Sequence, residues 1–164
     1  MTVAFQPKIG FLAFGSYGIA CANLQCNANQ LEELYVSNNT ALTRLICSNN
    51  LLDELDVSNL TDLVVLYCQF NSMSMLDVQH NTALAELRCY SNQLTSLDVN
   101  GCAELTQLYC YTNNLASLVL TGIPGLSNGV DGPADGVRVG ISTTTDVELS
   151  YMNQRSGLEC VVTW

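Results

Sequence analysis

Five cysteines recur with a fixed period of 21 residues, and this regularity limits the folds open to the chain more than any other feature. They are Cys26, Cys47, Cys68, Cys89 and Cys110. A leucine lies two positions before each cysteine and an asparagine three positions after it, as Leu45 and Asn50 flank Cys47. A disulfide framework needs no constant period, whereas stacked repeats do. The spacing therefore predicts a solenoid of about five coils in which the cysteines occupy equivalent places.

Each coil contains two short segments in which apolar and polar positions alternate. In the second coil these are residues 45–47, Leu-Ile-Cys, and residues 55–57, Leu-Asp-Val. Such alternation is typical of a strand with one buried face, and the coil leaves no room for a long helix. Coils stacked at roughly 4.8 Å would pair equivalent segments into two short-stranded parallel sheets. We expect the asparagines to hydrogen-bond the turn backbone of their own and neighbouring coils.

The order of residues within a coil resembles a known repeat family. Residues 42–57 read LTRLICSNNLLDELDV, which is similar to the leucine-rich-repeat pattern LxxLxCxxNxL continued by LxxLDV. This continuation resembles the irregular 21-residue class of bacterial and phage proteins. The resemblance covers about residues 21–126 and departs from the pattern at Tyr35, Met73, Gly101 and Val119. It implies a mainly β leucine-rich-repeat solenoid with a strand-lined binding face that contacts other macromolecules, and it names no ligand.

The repeat divides the chain into three predicted parts. Residues 1–21 form an N-terminal β-cap, residues 22–126 the solenoid, and residues 127–164 a linker followed by an antiparallel β-meander. Residues 1–21 also resemble a lipoprotein signal peptide that ends at its lipidated cysteine. The structural cap is favoured because Gly15 interrupts the apolar run and the basic Lys8 comes late.

Charge and hydropathy exclude two classes of partner. The chain has 15 acidic and 5 basic side chains, which gives a formal net charge of −10. So few scattered cations form no basic patch, and nucleic acid is therefore not an expected partner. The longest apolar runs fall well short of the roughly 18 residues that a membrane-spanning helix needs, so we expect no membrane span.

The residues that could carry chemistry predict neither catalysis nor a cofactor nor a metal site. The cysteines lack the CxxC pairs of zinc sites, so we expect them to be reduced, buried hydrophobes. His80 is the only histidine, and it occupies a turn position where a positive φ is expected. The column Asp56, Asp77 and Asp98 is assigned to edge protection and solubility rather than to a calcium ladder. Residues 127–136 form an oxygen-rich loop that lacks the spacing of an EF-hand.

The outward positions of the first sheet carry the candidate binding residues. Tyrosine and arginine lie between the leucine and the cysteine of the later coils, and further aromatic residues lie just past the cysteines. The predicted binding surface consists of Tyr67, Phe70, Arg88, Tyr90, Tyr109 and Tyr111. Tyrosine and arginine are enriched at interface hot spots, although tyrosine also suits exposed strand positions for packing reasons alone.

Two functions follow as expectations. The first is a non-enzymatic recognition module that binds a protein or glycan through the aromatic strand face. The alternative is a structural subunit of a virion or surface filament, a homo-oligomer or larger assembly held by strand-like termini such as residues 158–164. Either function favours a cell or virion surface, or the cytoplasm if no export signal is used.

Overall fold

A computed structural model describes residues 2–4, 11–13 and 21–119, and these residues form a mainly β solenoid of parallel strands. Each strand is three residues long, and every strand after the first centres on a leucine. The described residues include no helix that could span a bilayer. The strands are β1 (Thr2–Ala4), β2 (Phe11–Ala13), β3 (Asn23–Gln25), β4 (Glu33–Tyr35), β5 (Arg44–Ile46), β6 (Val65–Tyr67), β7 (Glu86–Arg88), β8 (Ser96–Asp98), β9 (Gln107–Tyr109) and β10 (Ser117–Val119).

The first sheet is continuous and carries the candidate binding residues. Its six strands follow the order β1-β3-β5-β6-β7-β9, and every pair is parallel. The register pairs each central leucine with that of the next coil, as Leu45 with Leu66 and Leu66 with Leu87. These leucines and the cysteines that follow them are fully buried in one apolar core. The solenoid predicted from the 21-residue period is therefore confirmed.

The strand pairing begins one coil earlier than the leucine pattern. Strand β1 pairs with β3 so that Val3 lies opposite Leu24, which keeps the 21-residue offset of the later coils. Strand β2 pairs in parallel with β4. Residues 2–13 lack the leucine and asparagine signature, and the pairing of strands β1 and β2 is what shows that these two strands extend the stack. The predicted linker and meander, residues 127–164, lie outside the described residues.

The second sheet is interrupted, in contrast to the continuous ladder expected from the sequence. Among the described residues, only the pairs β2–β4 and β8–β10 form on this side, and segments 54–56 and 75–77 are not strands. Their inward side chains, Leu55 and Leu76, are each 7% exposed, whereas the first-sheet leucines Leu45 and Leu66 are fully buried. Leu34 of the paired strand β4 is 6% exposed, so the inward leucine is buried whether or not its segment pairs as a strand.

The asparagine ladder joins neighbouring coils, as the sequence predicts. The Asn50 amide donates to the carbonyl of Cys47 in its own coil at 2.9 Å and to that of Cys26 in the preceding coil at 3.0 Å. Its Oδ1 accepts a hydrogen bond from the backbone N–H of Leu31 at 3.1 Å. The same pattern recurs at Asn71, Asn92 and Asn113. Each asparagine thus supplies backbone partners that a buried turn lacks.

The left-handed backbone positions differ from those expected. His80 and its equivalents in the other coils do not adopt a positive φ, so that prediction is wrong. The left-handed residues instead follow each cysteine by two positions, and they are Ala28, Asn49, Phe70, Ser91 and Thr112, with φ between 53° and 57°. None of these is a glycine, and only asparagine favours this region, so residue type gave no signal for the turn.

Candidate functional site

The outer face of the first sheet presents two columns of side chains. Each strand contributes one residue before its central leucine and one after it, and parallel pairing aligns these residues between coils. In the second column Tyr67 lies opposite Arg88, and Arg88 lies opposite Tyr109. In the first column Arg44 lies opposite Val65. Identical register in every coil therefore turns a periodic sequence into a continuous surface.

Alternating arginine and tyrosine side chains stack along this surface, and we call them the arginine–tyrosine stack: Arg44, Tyr67, Arg88 and Tyr109. The guanidinium carbon of Arg88 lies 4.3 Å from the ring centroid of Tyr67 and 5.2 Å from that of Tyr109. The guanidinium carbon of Arg44 lies 5.0 Å from the Tyr67 centroid. All three distances fall within the range of cation–π attraction. The stack holds long side chains in one arrangement before any partner arrives.

Glu86 fixes the orientation of the arginine at the centre of the stack. Its Oε1 accepts the Nε–H of Arg88 at 2.7 Å and forms an ion pair with Nη2 at 2.6 Å. The Arg88 side chain is 36% exposed and that of Glu86 only 17%, so water competes weakly for the carboxylate. Burial and a hydrogen bond to Glu86 also raise the pKa of Tyr67, so this phenol is neutral at physiological pH.

Three further aromatic residues form a second row beside the stack, the aromatic row: Phe70, Tyr90 and Tyr111. The rings of Tyr90 and Tyr111 are stacked, with centroids 4.4 Å apart and an interplanar angle of 10°. Phe70 meets Tyr90 edge to face, with a centroid distance of 5.2 Å and an angle of 79°. The difference follows from position, because Phe70 occupies the left-handed residue of its turn whereas the tyrosines directly follow their cysteines.

The predicted surface thus separates into two rows. The sequence prediction did not include two charged residues that contact it. Tyr67, Arg88 and Tyr109 belong to the arginine–tyrosine stack, and the other three predicted residues form the aromatic row. Arg44 and Glu86 were not singled out from the sequence, although both contact stack members. The signal was available, because each is the outward residue that precedes its strand leucine.

The column of aspartates shapes turns on the opposite side of the coils. Asp56, Asp77 and Asp98 each accept, through Oδ1, the backbone N–H two residues later at 3.0 Å. This is an Asx-turn, in which a side chain takes the place of a backbone acceptor. Hydrogen bonds from the hydroxyl and the N–H of Ser58 lower the pKa of Asp56. Within residues 21–119 no group of three or more His, Cys, Asp or Glu side chains is placed to hold a metal ion.

The cysteine ladder lies in the core and is reduced, as predicted. In the described part of the chain, all five ladder cysteines and Cys102 are buried thiols that form no disulfide bond. Burial raises the pKa of Cys26, Cys68 and Cys110 to about 12. A thiol must ionise to act as a nucleophile, so these side chains serve packing.

Comparisons with known proteins identify several solved structures that are similar to the chain. No protein-family model matches the chain, and no curated protein matches it either. The chain is similar to the functional domain of InlJ from Listeria monocytogenes, a domain described as including a cysteine ladder. The identity is 35% with a TM-score of 0.63, over 64% of this chain and 23% of that chain. The fold is a solenoid of parallel strands with a cysteine ladder, and it resembles a leucine-rich-repeat solenoid. The chain spans less than a quarter of the similar structure, and the bacterial or phage origin stays a prediction.

Proposed function

We propose that the chain is a non-enzymatic recognition module that binds a macromolecule through the outer face of its first sheet. Six residues of the arginine–tyrosine stack and the aromatic row would form the contact surface: Tyr67, Phe70, Arg88, Tyr90, Tyr109 and Tyr111. The observation that carries the proposal is the stack itself, in which Arg88 lies between two tyrosine rings and is held by Glu86. Binding to side chains that are already ordered loses less conformational entropy.

The comparison and the chemistry of the described residues support recognition rather than catalysis. Leucine-rich-repeat solenoids are extended scaffolds whose surfaces suit macromolecular partners. The thiols are buried, and the exposed His80 has no hydrogen-bonded nucleophile or orienting carboxylate among its contacts in residues 21–119. A protein or a glycan partner, and a location at the cell or virion surface, are part of the proposal.

Photo-cross-linking tests whether partners meet this face. Ile46→p-benzoylphenylalanine places the reactive group on the first-sheet face, and Met75→p-benzoylphenylalanine places it on the opposite side, where Met75 is 77% exposed. We expect partner adducts from position 46 alone. With an identified partner, Tyr109→Ala should weaken binding by about 1–3 kcal/mol without changing the circular dichroism spectrum. Adducts from position 75 alone would contradict the proposal.

The same experiment identifies the assembly alternative. A structural subunit would give adducts to a second copy of the chain, and association would depend on the termini. Deleting residues 1–9 or 158–164 should then abolish oligomers measured by light scattering, while Tyr109→Ala would leave them intact. That pattern would replace the recognition proposal with the subunit function.

A further inference from the structure

The aromatic rings of the first-sheet face contact neighbouring arginine and aromatic side chains. Tyr67 has an arginine guanidinium near its centroid from each neighbouring coil, at 5.0 Å and 4.3 Å. Tyr90 is stacked on Tyr111 and contacted by Phe70. A saccharide usually binds an aromatic residue by lying flat on an open ring face, and the guanidinium groups of Arg44 and Arg88 occupy this position at Tyr67. The surface therefore offers ring edges, hydroxyls and guanidinium N–H groups, which suit a polypeptide better than a sugar ring.

Charge is strongly segregated between the two sides of the described solenoid. Residues 21–119 contain two arginines, Arg44 and Arg88, and both lie in first-sheet strands. The same segment contains ten acidic residues, of which Glu86 alone lies in a first-sheet strand. The first-sheet face thus carries two positive charges and one negative, and the other nine acids lie in the turns and the second-sheet side. Within residues 21–119, this face is therefore the one that attracts an acidic partner.

Arg88 retains hydrogen-bonding capacity directed away from the stack. A guanidinium has five N–H donors in one plane. Glu86 engages Nε and Nη2, and within the described residues no other acceptor contacts Arg88. The rings of Tyr67 and Tyr109 flank the guanidinium from the preceding and following coils, which leaves its outward edge for an incoming acceptor. That edge matches the geometry of a carboxylate.

We infer that the first-sheet face binds an acidic segment of a protein partner, with a carboxylate held by the edge of Arg88. The inference rests on the proposed recognition function and names the chemistry of its ligand. A single carboxylate fits better than a doubly charged phosphate, because Glu86 already neutralises part of the guanidinium charge. Arg44, two coils away along the stack, supplies attraction for a second acidic side chain.

A labelled decapeptide of alternating glutamate and glycine tests the inference by fluorescence anisotropy. A glutamine–glycine peptide of the same length is the neutral control, and a heparin octasaccharide represents sulfated glycans. We expect the acidic peptide to bind in 50 mM salt and to weaken markedly in 500 mM salt. The glutamine peptide should bind at least about tenfold more weakly.

Two substitutions of opposite sign distinguish a ligand contact from a structural role. Arg88→Gln should weaken the acidic peptide at least about tenfold, and Glu86→Gln should strengthen it about threefold, since the amide oxygen still accepts from Arg88 but carries no charge. Met75→Glu and Glu54→Gln change the net charge by the same amounts on the opposite side, so they serve as controls. Both controls should stay within about twofold of the parent.

The outcomes separate this inference from the proposed function. Three results would overturn the inference of an acidic ligand. The first is equal binding of the two peptides, and the second is no binding of the acidic peptide at about 1 mM. The third is an equal effect of Glu86→Gln and Glu54→Gln on binding. Binding of heparin without the acidic peptide would replace it with a sulfated glycan. In each case the adducts formed at position 46 still decide independently whether the face recognises a partner.

Discussion

Replacing Asn50 by alanine measures how far the asparagine ladder stabilises the solenoid. The side chain is 6% exposed and makes three short hydrogen bonds, to the carbonyls of Cys26 and Cys47 and from the N–H of Leu31. The substitution does not leave the three backbone groups equally short of hydrogen-bond partners. Each carbonyl keeps a second ladder asparagine as its donor, since Asn29 also donates to Cys26 and Asn71 to Cys47. The N–H of Leu31 keeps no acceptor among the described residues.

The magnitude follows from this difference. One orphaned, buried N–H costs about 1–3 kcal/mol, and losing one of two donors at a carbonyl costs less than about 1 kcal/mol. We therefore expect Asn50→Ala to lower the free energy of unfolding by about 2–4 kcal/mol. The matched control is Asn59→Ala, because Asn59 is exposed and has no side-chain hydrogen bond, and it should change stability by less than about 0.5 kcal/mol.

Urea unfolding followed by far-ultraviolet circular dichroism provides the measurement. A second variant, Asn50→Asp, separates the accepted hydrogen bond from the donated ones. Its carboxylate can still accept the N–H of Leu31, but it has no hydrogen to donate to the carbonyls of Cys26 and Cys47. Burial would raise the pKa of the introduced carboxyl, so its destabilisation should grow as the pH rises and shrink as the pH falls. Equal stability of Asn50→Ala and Asn59→Ala, or a pH-independent Asn50→Asp, would refute this account of the ladder.

Three further predictions concern the core and the turns. Burial raises the pKa of Cys68 to about 12, so the folded state keeps a proton that the unfolded thiol releases at alkaline pH. The free energy of unfolding should therefore fall above about pH 9, and it should fall less steeply in Cys68→Val. Gly101→Ala should destabilise by about 1–3 kcal/mol in urea, because the new Cβ would lie 1.8 Å from the carbonyl oxygen of Gln79. Thr112→Asn should raise the melting temperature, with a gain of about 0.5–1 kcal/mol, because β-branched residues are strained at its φ of 54°; no gain would contradict this origin of strain.

The fold was predictable because the same sequence pattern recurs in every coil of the solenoid. A 21-residue period in leucine, cysteine and asparagine specifies what faces inward, and parallel stacking then fixes the first-sheet register. Strand β1 lacked that signal, since Val3 takes the place of the leucine and no asparagine follows in phase. Its pairing depends only on backbone groups that the neighbouring coil leaves open.

The candidate site was predictable in composition but not in arrangement. The outward tyrosines and Arg88 follow from strand alternation, whereas the partnership of Arg88 with Glu86 depends on side-chain conformation within one strand. The left-handed turn was assigned to the position of His80 by residue type, although the backbone adopts it at Phe70 and its equivalents. Tertiary hydrogen bonds between coils override local preference there, as the N–H of Phe70 donates to the carbonyl of Tyr90.

The backward direction of the asparagine bonds gives the solenoid a mechanical character. Asn71 holds the coil before it through Leu52 and Cys47, and Asn92 does the same one coil later through Met73 and Cys68. Tension applied along the stack therefore acts on a series of inter-coil seams, each held by the same set of asparagine hydrogen bonds. A coil of 21 residues that peels away releases about 70 Å of extended chain. Under load such a protein lengthens in equal steps and limits the force transmitted through whatever it holds.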